Sequence, residues 1–179
     1  MREVYKINIA GVERELTKYP VNDKLDIAAF ILFGDVEVTV ASARELLKMV
    51  PDFDVILTPE AKSIPLAYEM ARQSKKDYVV ARKGVKVYMG DPISVTVKSI
   101  TTNNEQTLYI GDEDAKKIQD KRVLIVDDVI STGESLIAIQ TLAQRAGAKI
   151  AASCAVLAEG DAADRDDIIF LEKLPLFFK

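Results

Sequence analysis

Residues 122–136 read RVLIVDDVISTGESL. The branched apolar run VLIV is a strand in search of burial. It closes on two adjacent carboxylates, Asp127 and Asp128, which repel each other and resist desolvation. A Ser-Thr-Gly turn then opens a helix, ESLIAIQTLAQRAG, in which Leu136, Ile139, Leu142, Ala143 and Ala146 share one face and Gly147 stands at the stop. In an open parallel sheet, ligands sit beyond the carboxyl ends of the strands. The unpaired amides at the start of the helix make a ready anion cradle there. Ser131, Thr132 and Ser135 add hydroxyls, and Gly133 permits a tight turn and close backbone approach. Carboxylates beside an anion cradle suit diol hydroxyls or a hydrated Mg²⁺ rather than the anion itself. A sugar phosphate fits that arrangement. The plainer reading is that Ser and Thr cap the helix and the aspartates form a turn. The unbroken order of strand, acid pair, turn and helix favours the ligand site. The string is neither a Walker A loop nor a GxGxxG dinucleotide fingerprint.

Outward from this stretch, short apolar runs alternate with helical spacing. DVILT (54–58), YVVAR (78–82), IAASCAVLA (150–158) and DIIFL (167–171) read as strands, and SIPLAYEMARQ (63–73) reads as a helix. Val/Ile-rich strands between helices predict a Rossmann-like parallel α/β sheet flanked by helices. Residues 83–110 break the rhythm. In SVTVKSI, Val95, Val97 and Ile100 alternate with Ser94, Thr96 and Lys98, and the polar TTNNEQT follows. This predicts an antiparallel insertion, either a mobile lid or an ordinary hairpin extending the sheet. Residues 1–40 carry β-like pieces, VYKINIA and VEVTV, and are expected to form a small lobe with the C-terminal PLFF.

The 179 residues suit one domain, with 49% apolar and 29% charged residues, a globular composition. A net charge of −4 argues against a duplex nucleic acid partner. The chain has no histidine, which removes Ser-His and Cys-His nucleophile pairs, HExxH metal sites and histidine general bases. The one cysteine, Cys154, lies in an apolar run and reads as a small core residue. No disulfide can form within the chain, which suits a reducing compartment. The first residues lack the apolar core of a signal peptide. IAAFILF (27–33) is too short to span a bilayer, so no membrane association and a cytoplasmic location are expected.

The string IVDDVISTGES resembles the phosphoribosyl pyrophosphate (PRPP) motif of type I phosphoribosyltransferases. TPEAKSIPLA (58–67) resembles that family's pyrophosphate loop, with Pro65 in the first turn of the helix. VVARKG (79–84) resembles the strand end before its flexible hood. The resemblance covers residues 41–172 and is closest to the adenine and xanthine enzymes. It implies one phosphoribosyltransferase domain over 1–179, with an N-terminal hood lobe (1–40), a core (41–172) and a flexible β lid (83–110) whose segment 84–107 closes over the site. It implies catalytic roles for Asp127, Asp128 and Arg82. PRPP would be held by Asp127, Asp128, Ser131, Thr132, Gly133, Glu134 and Ser135. Pyrophosphate would be held by Ala61, Lys62, Ser63, Arg82 and Lys83, with a strained peptide at Ala61–Lys62. The base would lie against Val80, Ala81 and Arg82, and Mg²⁺ would be reached by Asp127 and Asp128 through water.

The activity implied is transfer of the 5-phosphoribosyl group from PRPP to a purine, adenine first, then xanthine, hypoxanthine or guanine, in nucleotide salvage. A homodimer is implied as well. The alternative is a PRPP-sensing regulator of the same fold, which usually adds a DNA-binding domain or a basic face. Two departures stand out. Glu134 puts a negative charge at a phosphate-binding helix start. Ser131 replaces the acid of the best-known hypoxanthine-guanine enzymes. Glu105 is the nearest match to the lid glutamate of adenine enzymes.

Overall fold

A computed structural model describes residues 2–98 and 105–179. The expectations placed on Ser99 to Asn104, including Ile100 and the polar tip of the insertion, lie outside the described residues. Five parallel strands form the central sheet. They are β4 (Val55–Pro59), β5 (Asp77–Ala81), β8 (Arg122–Ile130), β9 (Lys149–Glu159) and β10 (Ile169–Leu174), in the order β10-β9-β8-β4-β5. Helix α2 (Ile64–Ser74) connects β4 to β5, and α4 (Glu134–Arg145) connects β8 to β9.

Strand alternation sorts the core onto two faces. Val123 and Ile125 of β8 join one apolar cluster with Leu136, Ile139 and Leu142 of α4. Leu124 and Val126 point the other way, into a cluster with Leu66 and Met70 of α2 and with α1 (Val36–Met49). Cys154 is fully buried in that second cluster, and burial pushes its thiol above the ordinary range. The single cysteine is thus a core residue.

Helix α1 overturns one expectation. VEVTV is not a β piece but its first turns. Asp35 caps it by accepting the amide of Val38 at 3.2 Å, and the hydroxyl of Thr39 donates to the Asp35 carbonyl at 2.7 Å. Val38, Ala41 and Leu46 then face the core while Val36 and Val40 are exposed. The cap and the core stripe outweigh the β preference of alternating valines. A second helix, α3 (Asp112–Ile118), was also not foreseen. Its three acids lie in the first turn and its two lysines in the last, which suits the helix dipole.

The N-terminal segment builds an antiparallel sheet from β1 (Val4–Ile9), β2 (Val12–Asn22) and β3 (Leu25–Ala28), joined at its edge by β11 (Phe177–Phe178) of the PLFF segment. Residues of the insertion form a separate hairpin of β6 (Ile93–Lys98) and β7 (Glu105–Ile110). Reciprocal backbone hydrogen bonds of 2.8 Å between Arg82 and Tyr109 tie this hairpin to the end of β5. No helix of the described residues is long and apolar enough to cross a membrane.

Candidate active site

The strand carrying the acid pair is longer than VLIV. It runs through Asp127 and Asp128 to Ile130, because β9 continues to pair with it: Asp127 faces Ala155 and Ile130 faces Ala158. On its other side, β4 pairs only as far as Ile125 and then turns away after Pro59. The two carboxylates therefore sit inside a strand that has lost one neighbour. A cavity of about 450 Å³ opens there, bounded by the loop after β4, the end of β8 and the turn into α4.

Asp128 is only 3% exposed, and its Oδ2 lies 2.9 Å from Nζ of Lys62, an ion pair without hydrogen-bond geometry. Asp127 Oδ1 accepts the amide of Asp128 at 2.8 Å. Burial, and then the neighbouring Asp128 charge, push the Asp127 carboxyl well above the usual carboxylate range. The pair is an under-compensated negative site that a sugar diol or a hydrated cation would relieve. Its oxygen donors suit Mg²⁺, which takes few protein ligands and keeps its waters. Among the described residues no group of three or more acidic, cysteine or histidine side chains could hold a metal by itself.

The Ser-Thr-Gly segment does not cap the helix that it opens. Helix α4 is capped by Gly133, with φ of +83°, and no side chain caps its first turn. Ser131, Thr132, Gly133 and Ser135 line the cavity instead. Ser135 Oγ donates to Oε1 of Gln106 on β7 at 3.2 Å, which links the cradle to the hairpin. Glu134, the first residue of α4, is not among the lining residues.

The loop after β4 faces this turn. Pro59, Glu60, Ala61, Lys62 and Ser63 line the cavity, and the peptide in the cis form is Glu60–Ala61, one bond before the Ala61–Lys62 position expected. Buried hydroxyls hold the loop against β8. Thr58 Oγ1 lies 2.7 Å from Ser63 Oγ and 2.8 Å from the carbonyl of Val126, and Ser63 Oγ donates to the carbonyl of Pro59. Glu60 accepts the amide of Lys83 at 2.9 Å and lies 3.2 Å from Nε of Arg82; the Lys83 amide is the main cause holding its carboxyl below the ordinary range.

Asp127, Asp128, Ser131, Thr132, Gly133, Ser135, Ala61, Lys62, Ser63 and Lys83 therefore meet around one cavity. Val80, Ala81 and Arg82 do not reach its wall. Val80 and Ala81 are held in the sheet opposite Thr58 and Pro59, and Arg82 turns to Glu60 and to the hydroxyl of Tyr88 at 2.7 Å. The apolar wall is made instead by Val129, Ile130 and Leu136. Glu105 is exposed at the start of β7 and lies off the cavity.

Glu60 and Gln106, which line the cavity, were missed. Glu60 was within the quoted loop, but its acid had no evident use beside an anion. Gln106 reaches the site only through a chain crossing that carries no local pattern.

A family model for the phosphoribosyl transferase domain matches residues 41–174. A hypoxanthine/guanine phosphoribosyltransferase of Methanococcus voltae is 32% identical over 143 residues, covering 80% of this chain and 70% of the relative. An HGPRTase-like protein of Halalkalicoccus jeotgali is 32% identical over 87% of this chain and 80% of its own length. Among solved structures, adenine phosphoribosyltransferase from Thermoanaerobacter pseudethanolicus superposes with a TM-score of 0.73 at 21% identity, over 88% of this chain and 95% of that one. The Saccharomyces cerevisiae adenine enzyme, bound to an imino-altritol bisphosphate and adenine, gives 0.70 at 20% identity, over 87% and 93%. At these identities the structures establish the fold.

Proposed function

The chain belongs to the phosphoribosyltransferase family, a class of pentosyltransferases, and we propose that it moves the 5-phosphoribosyl group of PRPP onto a purine base, releasing pyrophosphate and forming a nucleoside monophosphate. The observation that supports this most is the meeting of an under-compensated acid pair, an uncapped anion turn and a facing lysine-bearing loop around one cavity.

In this reading the 5′-phosphate lies in the turn 131–135, on backbone amides and the hydroxyls of Thr132 and Ser135. Asp127 and Asp128 accept the ribose hydroxyls. The same two carboxylates would hold a hydrated Mg²⁺, which supplies charge neutralisation for the pyrophosphate when bound. Lys62 and Lys83 face the departing pyrophosphate, with Lys62 leaving Asp128 as substrate enters. The bond from the anomeric carbon to pyrophosphate breaks, the bond to a purine nitrogen forms, and the base gives up one proton. Positive charge builds on the ribose ring in passing, and the protein contributes mainly alignment and charge stabilisation. The β6–β7 hairpin, tied to the cradle through Gln106 and Ser135, is the lid that excludes water.

The base lies on the apolar wall of Val129, Ile130 and Leu136 rather than on Val80 to Arg82. Relatives at 32% identity are named for hypoxanthine and guanine, which favours a 6-oxopurine. Adenine is the second reading, and the adenine enzymes share only the fold. Exposed Ile31, Phe33, Val36 and Tyr68 near α1 and α2 support a homodimer, which sedimentation would detect.

A pyrophosphate-release assay with Mg²⁺ and PRPP tests the proposal against hypoxanthine, guanine, xanthine, adenine, uracil and orotate. Release with one or two purines supports it and names the base. Silence with all six, alongside calorimetric PRPP binding, would instead identify a sensing protein.

A further inference from the structure

We propose that Arg165 is the cationic complement of the 5′-phosphate, a positioning residue that acts on the phosphate turn through Gly133. This rests on the phosphoribosyltransferase reading of the cavity. A short 3₁₀ turn, Gly160–Asp164, follows β9 and delivers Arg165 to the carboxyl end of the sheet. There its Nε and Nη2 fork onto the two oxygens of Asp167 at 2.8 and 2.7 Å. A bidentate fork fixes the guanidinium plane. Among the described residues Nη1 is left without an acceptor, and it lies against Gly133. A Cβ built on that glycine would meet Nη1. Position 133 thus disfavours a side chain through its φ of +83°, and a Cβ there would also have to displace the Arg165 guanidinium.

Charge gives this contact a purpose. The turn residues on the cavity wall, Ser131, Thr132, Gly133 and Ser135, offer only amides and hydroxyls, all neutral. The cations on the cavity wall, Lys62 and Lys83, follow β4 and β5 and belong to the opposite side. Among the described residues, Arg165 is the cation that stands against the phosphate turn. It sits behind the turn rather than on the wall, so it both holds the Gly133 backbone in place and raises the potential at the cradle.

Calorimetry of the full chain with ribose 5-phosphate and, separately, with pyrophosphate tests this, because the two ligands occupy opposite sides of the cavity. Arg165→Gln should bind ribose 5-phosphate roughly tenfold more weakly, as expected for loss of one charge-assisted contact, and should bind pyrophosphate as the unsubstituted protein does. Arg165→Lys should recover part of the loss, since it keeps the charge without the fork. Asp167→Asn keeps the arginine but loosens it, and should show a smaller loss confined to ribose 5-phosphate. Unchanged ribose 5-phosphate affinity in Arg165→Gln, or equal loss of both ligands in either variant, would overturn the inference. If the unsubstituted protein holds neither ligand, the reading of the cavity itself falls and takes this inference with it.

Discussion

At the start of α1, Asp35 takes Nε and Nη2 of Arg14 at 2.8 and 2.9 Å and caps the helix by accepting the Val38 amide. At the end of β8, Asp127 and Asp128 stand side by side, with one lysine beside the second of them. The first acid is fully compensated, and Arg14 holds it below the usual carboxylate range. The second site is left short of positive charge, and Asp127 is driven the other way. A carboxylate that folding has satisfied serves the fold. A carboxylate pair that folding leaves short is a candidate for a ligand from outside the chain.

The largest expected effect breaks the second half of that contrast. Asp127→Asn with Asp128→Asn should reduce pyrophosphate release by roughly a thousandfold, the scale seen when charge aimed at a reacting centre is removed. The unfolding temperature at neutral pH should not fall. A carboxyl raised in the folded state favours folding below its unfolded value, and that contribution is lost as pH rises toward the folded one, so at neutral pH the raised Asp127 burdens the fold. Retained turnover, or a fold that collapses, would remove the distinction drawn here.

Next in size is the cradle. Thr132→Ala with Ser135→Ala should raise the KM for PRPP roughly tenfold, as expected for the loss of hydroxyl contacts to a charged group, and leave the KM for the base alone. A change in the base KM only would place the phosphate elsewhere.

The first half of the contrast is tested by stability. Asp35→Ala should cost about 1 kcal/mol in urea unfolding, the usual price of a lost N-cap, with turnover unchanged. The smallest effect is in pH. The folded value of Asp35 is depressed, so its contribution is present above its unfolded value, near 3.9, and is lost as pH falls through the folded one. Unfolding curves of the unsubstituted chain should weaken below pH 4 more steeply than those of Asp35→Asn. Parallel curves would mean that the Arg14 contact does not bind the helix start to the sheet.

The parallel strands and the acid-turn-helix string were legible because each is a contiguous run whose pattern is local. Alternation at β6 was legible for the same reason. VEVTV misled because its alternation of valines is genuine, yet a cap at Asp35 and the buried face of Val38, Ala41 and Leu46 made it a helix. Residues 80–82 stay off the cavity wall for a different reason. Val80 and Ala81 are the last residues of β5, the outer strand, and Arg82 just beyond them is bridged to Tyr109 of the hairpin.

What the chain's order of residues determined by itself was a buried strand, an acid pair that resists burial, and a glycine turn that leaves helix amides unpaired. Those follow from covalent neighbours and local hydrogen bonding. Only the tertiary structure decided that β4 leaves β8 at Ile125 while β9 stays, so that the acids face a cavity on one side and the sheet on the other. It alone decided that Lys62 reaches Asp128 and that Arg165 fills the space beside Gly133. The reason is physical: a charge has its consequence through what stands within a few ångströms of it, and those neighbours come from segments tens of residues away.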